Sequence, residues 1–520
     1  MNDAADSTRV PRAPKLVDAL IPLLFLVLSL VAAVALFGGD ATAGPVQLAM
    51  FFAAAIAGLV GYKNGHSVAA MTKAAVDSVG SAMGAIYILF AVGALIGTWN
   101  MSGTIATMAE WGIKFLNPSF FFLTVAIVCA LVALGIGSSW TVMGTLGVAF
   151  VAIAEAQGLS AAMAAGAVIS GAYFGDKMSP LSETTNLAPA VAGTNLYTHI
   201  RAMMATTVPS ILITLVIYLV LGMHAKPVAP VPPAVAETAI NYEFNTGILT
   251  MIPLVVVIGL AVRKVHPVIA ILAGAITGGL LAAILQPKAV EHFVGDESGL
   301  ATPWVMLKGI WQAMATGFTA DTGVARIDEL LSGGGMEGML GTVWLIMAAL
   351  TFGGIMNYCG FLGRLIEPLR RRAKSPRAVM AATGATAIGI NIVAAEQYLA
   401  IVLTGNIYKQ DFEERGIAPQ SLSRQIEDTA TVTSVLVPWN SCGAYAAGVL
   451  NVATAAYLPF AFFNWINPLV SFFYDLMGWQ IHRVPVDTPF PPAPSDVEFY
   501  GAAGHNPDEV PADGGKPPAS

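Results

Sequence analysis

Charge is what this chain lacks. Only 11% of its 520 residues are Asp, Glu, Lys or Arg, less than half of the ~25% usual in soluble domains, and mean hydropathy is +0.70. So few charges cannot cover the surface of a water-soluble protein of this length. The chain reads as an integral membrane protein whose first partner is the lipid bilayer. Cysteine is scarce as well. Cys129, Cys359 and Cys442 lie inside apolar stretches without CxxC spacing, so they read as small buried residues and not as disulfides or metal ligands. The seven histidines form no cluster; His66, His199 and His266 fall at helix boundaries and read as interfacial. The glycine-rich "LSGGGMEGM" at 331–339 has no Walker lysine, and no Ser/His/Asp or zinc-protease spacing is present. The expectation is a protein that is not an enzyme, carries no cofactor and binds no nucleic acid. Its net charge of −7 says little about partners, because membrane proteins are read by where their charges lie.

Long charge-free runs are what the chain has instead. Ten of them, from 19–39 to 429–474, contain no Asp, Glu, Lys or Arg, and a helix needs ~20 apolar residues to cross a bilayer core. The runs 115–154 and 429–474 are each long enough for two passes. They do not alternate polar and apolar as barrel strands do. The prediction is an all-α integral membrane protein with roughly 11–13 transmembrane helices. Arg9, Arg12 and Lys15 precede a first run of 21 residues, longer than the ~7–15 of a signal sequence. That run reads as the first membrane helix, with a cytoplasmic N-terminus. The divisions are a cytoplasmic segment at 1–16, a first membrane half at 17–222, a Pro/Ala-rich loop at 223–243, a second half at 244–480 and a disordered polar tail at 481–520.

The two halves resemble each other. "VGALIGTWNMSGT" at 92–104 aligns with "FGGIMNYCGFLGR" at 352–364, "NPSFFF" at 117–122 with "SPRAVM" at 375–380, and "GIGSSW" at 135–140 with "GINIVA" at 389–394. Asp176 then falls opposite Asp428. The loop at 104–118 has one basic residue, Lys114, and its counterpart at 361–378 has six: Arg364, Arg370, Arg371, Arg372, Lys374 and Arg377. The segments entering the repeats show the opposite bias. By the positive-inside rule equivalent loops lie on opposite sides of the membrane, which is the inverted-topology repeat, with broken or hairpin helices, of many secondary transporters.

Each half carries one polar interruption. In "GDKMSPLSETTNLAP" (175–189), Asp176, Lys177 and Glu183 surround Pro180, which stops a helix. In the second half Glu427 and Asp428 precede Thr429, Thr431, Thr433, Ser434 and the "PWN" of 438–440. A charge at mid-bilayer costs ~2.5–3.5 kcal/mol, so such groups need mutual pairing or a water-filled cavity. A broken helix supplies carbonyls and hydroxyls for a cation, and this oxygen donor set suits a hard monovalent ion. Lys177 is either a counter-charge displaced by the cation or a side chain that snorkels to water. "GIGSS" at 135–139 and "GIN" at 389–391, with Asn391, are candidate hairpin tips, and Glu396 follows as an intramembrane carboxylate. A carboxylate site open to both a proton and a sodium ion is sufficient for antiport, provided the empty carrier does not cross.

"GAYFGDKMSPLSETTNLAP" together with "IEDTATVTSVLVPWNSCGAY" (426–445), "TGVARIDELLSGGGMEGM" (322–339) and "FGGIMNYCGFL" (352–362) resembles the NhaC-type Na+/H+ antiporter family, over about residues 16–480. The resemblance implies exchange of sodium for protons across a bacterial inner membrane. Carried over by position, it implies one half-site of Asp176, Ser179, Ser182, Glu183, Thr184, Thr185 and Asn186, and another of Glu427, Asp428, Thr429, Thr431, Ser434 and Asn440, with Na+ at a subset of them. This chain has Glu183 where the family often has Asp, and Val435 where it often has proline. Some relatives exchange malate for lactate with sodium and protons, so a Na+/H+-coupled organic-acid exchanger is the alternative. A small carboxylate as ligand and a homodimer as assembly stay open.

Overall fold

The computed structural model describes residues 11–228, 232–295, 300–486 and 489–490. The described residues are helical almost throughout, and their only β pairings are the isolated bridges Phe318–Gly333 and Ile417–Arg483. Eight helices among them are long and apolar enough to cross a membrane: Leu16–Phe37, Pro45–Lys63, Met83–Met101, Pro118–Ile136, Ser139–Ala156, Leu196–His224, Pro267–Leu285 and Glu337–Tyr358. Counting Ala234–Glu243 and Ile248–Val262, bent by 78°, as one broken span makes nine. This is fewer than the charge-free runs suggest, because much of the apolar sequence goes into shorter pieces. The run 429–474 is divided among a π turn, two 3-10 turns and the helices Ser441–Leu450, Thr454–Tyr457 and Phe462–Met477. Leu24, Leu28, Val31 and Leu36 are exposed along the first helix, an apolar outer face that a bilayer covers.

Two stretches outside the spans are more ordered than their composition implies. In the segment read as a Pro/Ala-rich loop, Pro233–Glu243 is a helix with proline at its start, where the missing N–H costs nothing. At the other end, Val484 N donates to Gly416 O at 3.0 Å and Phe490 N to Glu413 at 2.8 Å, so this part of the tail is packed. Residues 1–10, with Arg9, and 491–520 lie outside the described residues.

The repeat is real, and its register is set by backbone landmarks. From Pro118 to Leu196 the element plan recurs at Pro376 to Thr454, a constant shift of 258 residues. Ser139–Ala156 matches Gln397–Glu414 in length, and Glu183–Ala192 matches Ser441–Leu450. The left-handed residues coincide: Gly137 (φ 77°) with Ala395 (φ 59°), Gly158 with Gly416, and Gly193 with Asn451. The residues following the first pair, Ser138 and Glu396, share the extended conformation (φ −150°, ψ 110° and φ −142°, ψ 126°). Pro180 falls on Pro438.

This register corrects the sequence alignment in three places. Just ahead of Pro118 the shift is 257 residues: Gly103 pairs with Gly360, both left-handed N-caps, and not with Gly363. The "GIN" of 389–391 lies inside the helix Pro376–Val393; the second tip is at 394–396. Asp176 stands opposite Ser434, six residues past Asp428.

Candidate ion-binding site

Pro180 ends the helix Ala161–Met178, and the chain runs extended through Ser179 before Ser182 caps Glu183–Ala192 by accepting from Thr185 N. The exposed backbone is satisfied locally. Thr185 Oγ1 donates to Lys177 O at 3.0 Å, and Asn186 Nδ2 donates to the carbonyls of Pro180 (3.0 Å) and Ser182 (2.6 Å). Thr185 and Asn186 therefore hold the break together. Asn186 and Glu183 face outward, and Ser179, Ser182 and Thr184 are buried. Asp176 is met by the first hairpin tip: its Oδ2 accepts from Ser139 N at 3.0 Å and from Ser139 Oγ at 2.6 Å. Gly137 makes that approach possible, because a Cβ there would lie 2.7 Å from the Leu181 carbonyl carbon.

The second repeat builds the same joint from different side chains. A 3-10 turn, Ser434–Leu436, and the extended Val437 end the helical run despite Val435, and Asn440 caps the next helix by accepting from Cys442 N at 3.0 Å. Ser434 Oγ donates to Gln397 Oε1 at 3.1 Å, the counterpart of the Asp176–Ser139 contact. Asn391 Nδ2 donates to Ala430 O at 2.6 Å, and Asn440 Nδ2 to Asn391 Oδ1 at 3.3 Å. Glu396 caps its helix through Tyr398 N and accepts from Ser441 Oγ at 2.6 Å. Thr429 Oγ1 donates back to Gln425 O within its own helix; the Thr431 hydroxyl has no partner.

Between the breaks lies a fully buried charged cluster. Lys177 pairs with Asp428 and donates to Asn467 Oδ1 at 3.1 Å. Lys177 is thus an inter-repeat counter-charge and does not snorkel. Arg424 reaches Asp428 at 3.2 Å, Asp475 at 3.1 Å and Ser471 Oγ at 3.0 Å. Two cations therefore face two carboxylates in a region that excludes water, where only close pairing offsets desolvation. Glu427, in the π turn Glu427–Thr431, is buried beside them, and neither of its oxygens has a hydrogen-bond partner. Of its neighbours, Lys177 and Asp176 act on it as charges, and the Thr431 and Thr184 hydroxyls stand close by without completing a hydrogen bond to it. It is the one carboxylate of this cluster left bare.

Each tip also touches the other repeat. Tyr398 Oη donates to Glu183 at 2.5 Å, and Tyr445 Oη donates to Trp140 O at 2.8 Å with the two rings stacked at 4.0 Å. Trp140 and Tyr398 are equivalent positions, 258 residues apart. Sequence reasoning missed Arg424, Asp475, Asn467 and Ser471. Arg424 stands four residues before Asp428, a helical pairing distance; Asp475 was visible only as the residue that ends a charge-free run. His199, expected at an interface, is buried, with Nδ1 2.9 Å from Ser423 Oγ.

A multi-pass helical protein with two copies of one broken-helix plan and a buried ionic cluster where the copies meet has the build of a secondary transporter. The model of the Na+/H+ antiporter family matches residues 171–479, which contain both breaks and the whole cluster, and the chain belongs to that family. It is 35% identical over 408 residues to the Na(+)/H(+) antiporter NhaC of Alkalihalophilus pseudofirmus, covering 78% of this chain and 85% of the relative. It is 33% identical to the malate-2H(+)/Na(+)-lactate antiporter of Bacillus subtilis, over 84% and 90% of the two chains. It is 32% identical to the arginine/ornithine antiporter ArcD of Halobacterium salinarum, over 92% and 95%.

Proposed function

We propose that this protein exchanges Na+ for H+ across a bacterial inner membrane by alternating access, with its N-terminus in the cytoplasm and its repeats inverted as the loop charges indicate. The observation that carries the reading is Glu427: a fully buried carboxylate with no hydrogen-bond partner, placed where both breaks meet. Such a group is costly to leave charged and alone, so it is occupied by a proton or by a cation. Asp176, Thr184 and Thr431 are the oxygen-bearing neighbours that would share an ion with it, and no soft ligand stands among them. Asp428 is committed to Lys177 and Arg424 and sets the charge balance around the exchange site. Glu183, Asn186 and Thr429 have structural partners and stand outside the ion's first contacts.

A second reading is coupled exchange of a small organic anion, favoured by the malate/lactate relative and by the two capped helix starts at Glu183 and Ser441. Proteoliposomes with an internal pH dye separate the two. Na+-driven proton flux without any organic acid, lost in Glu427→Gln, is the expected result. Flux that appears only with malate, lactate or arginine present would move the protein to the second reading. No flux with any of them would remove both.

A further inference from the structure

The helix Phe361–Arg372 ends in three arginines. Arg370 is paired with Asp411 and Arg371 with Glu367, but Arg372 and, just beyond the helix, Lys374 are exposed and have no acidic partner among the described residues. Arg372 lines a cavity of about 390 Å³ with Leu369, Ala378, Ala381, Ala385 and Phe472. The alanines recur at helical spacing along one face of Pro376–Val393 and leave a shallow apolar channel under a cationic mouth. This is the side on which the sequence concentrates six basic residues between 361 and 378, the cytoplasmic side by charge bias, where the leaflet carries anionic headgroups.

We propose that this groove holds an anionic phospholipid, with an acyl chain along the alanine face and the phosphate at Arg372 and Lys374. Charge complementarity selects this occupant: an apolar channel alone would accept any lipid, whereas an uncompensated Arg372 in its lining, with the exposed Lys374 two residues further on, favours a negative headgroup. The groove is connected to the ion cluster. The Phe472 ring packs where a Cβ on Gly384 would fall, 3.0 Å away, and its neighbour Ser471 contacts Arg424 and Gln425. A chain resting on Phe472 therefore bears on the wall of the charged cluster.

Native mass spectrometry of the full-length protein in detergent, incubated with phosphatidylglycerol or phosphatidylcholine, tests the proposal without reading transport. The wild type is expected to retain phosphatidylglycerol preferentially. Arg372→Gln with Lys374→Gln should cut that retention by roughly tenfold or more, and Arg372→Lys should keep it. Ala385→Phe, which fills the channel, should lose the lipid although both cations remain. Equal retention of the two lipids by the wild type, or unchanged phosphatidylglycerol retention in the Gln pair, would overturn the proposal. So would a change of oligomeric state in Ala385→Phe with lipid retention intact, which would make the groove a contact between two copies. Each of these results leaves the Na+/H+ reading untouched, since none depends on flux.

Discussion

Lys177 of the first repeat and Asp428 of the second, 251 residues apart, form an ion pair in which neither side chain has any exposed surface. Removing one member of a buried pair leaves an uncompensated charge and costs ~3–5 kcal/mol. The two members are not equally exposed to that loss. Asp428 without Lys177 still has Arg424 as an ion-pair partner, whereas Lys177 without Asp428 keeps the Asn467 amide as its hydrogen-bond partner and no ion-pair contact among the described residues. Asp428→Asn is therefore expected to lower the melting temperature in detergent more than Lys177→Gln. The double substitution, which leaves no orphan charge at this contact, should recover part of the loss. Purely additive losses would show that the pair is not coupled.

Glu427 makes the opposite prediction. It has no hydrogen bond to lose, so Glu427→Gln should change thermal stability by less than about 1 kcal/mol, within the range of a substitution that breaks no contact. Sodium-driven proton flux in proteoliposomes should nevertheless disappear, because an amide neither releases a proton nor neutralises a cation. A variant that is stable and still exchanges would move the proton to another carboxylate, with Asp176→Asn the next to measure.

The membrane class and the two breaks were legible in the sequence because both rest on strong local terms: charge depletion, proline, and polar runs in apolar surroundings. The register of the repeat was not, and the reason is specific. Aligning Asp176 with Asp428 matches acid to acid, but the two halves place their acids at different positions of the repeat. Positions that the backbone requires, such as Gly137 with Ala395 and Pro180 with Pro438, keep the register because left-handed φ and helix termination recur with the fold. The cluster was half legible for a similar reason. Arg424 stands one helical turn before Asp428, whereas Asp475 joins them only through the packing of Phe462–Met477.

The contact of Asp176 with the first tip yields a prediction on affinity. Ser139 gives Asp176 a backbone and a hydroxyl donor, and a hydrogen bond to a charged group contributes ~1.5–3 kcal/mol. Ser139→Ala removes the hydroxyl alone, so the Na+ KM of proton flux should rise by roughly tenfold or more. The equivalent contact, Ser434 with Gln397, involves no carboxylate. Gln397→Met should therefore move the Na+ KM much less. Equal shifts in the two variants would mean that both tips act on the ion alike, and Asp176 would lose its assigned place.

The two tips also differ in a way that stability measurements can read. Gly137 and Ala395 are equivalent and both left-handed, at φ 77° and φ 59°. At 137 a Cβ has no room, lying 2.7 Å from the Leu181 carbonyl carbon and 2.9 Å from Ser182 N. At 395 the methyl group is already accommodated, and its only cost is the backbone conformation, ~1–2 kcal/mol for a residue other than glycine. Gly137→Ala must therefore push the first tip away from the first break, lengthening the Ser139–Asp176 contact. It should lower both the melting temperature and the flux. Ala395→Gly exchanges that backbone strain for greater chain freedom and should leave the melting temperature within a few degrees of wild type, with flux intact. If Gly137→Ala were silent in both measurements, the tip would not be held against the break, and the close approach that brings Ser139 to Asp176 would have no part in exchange.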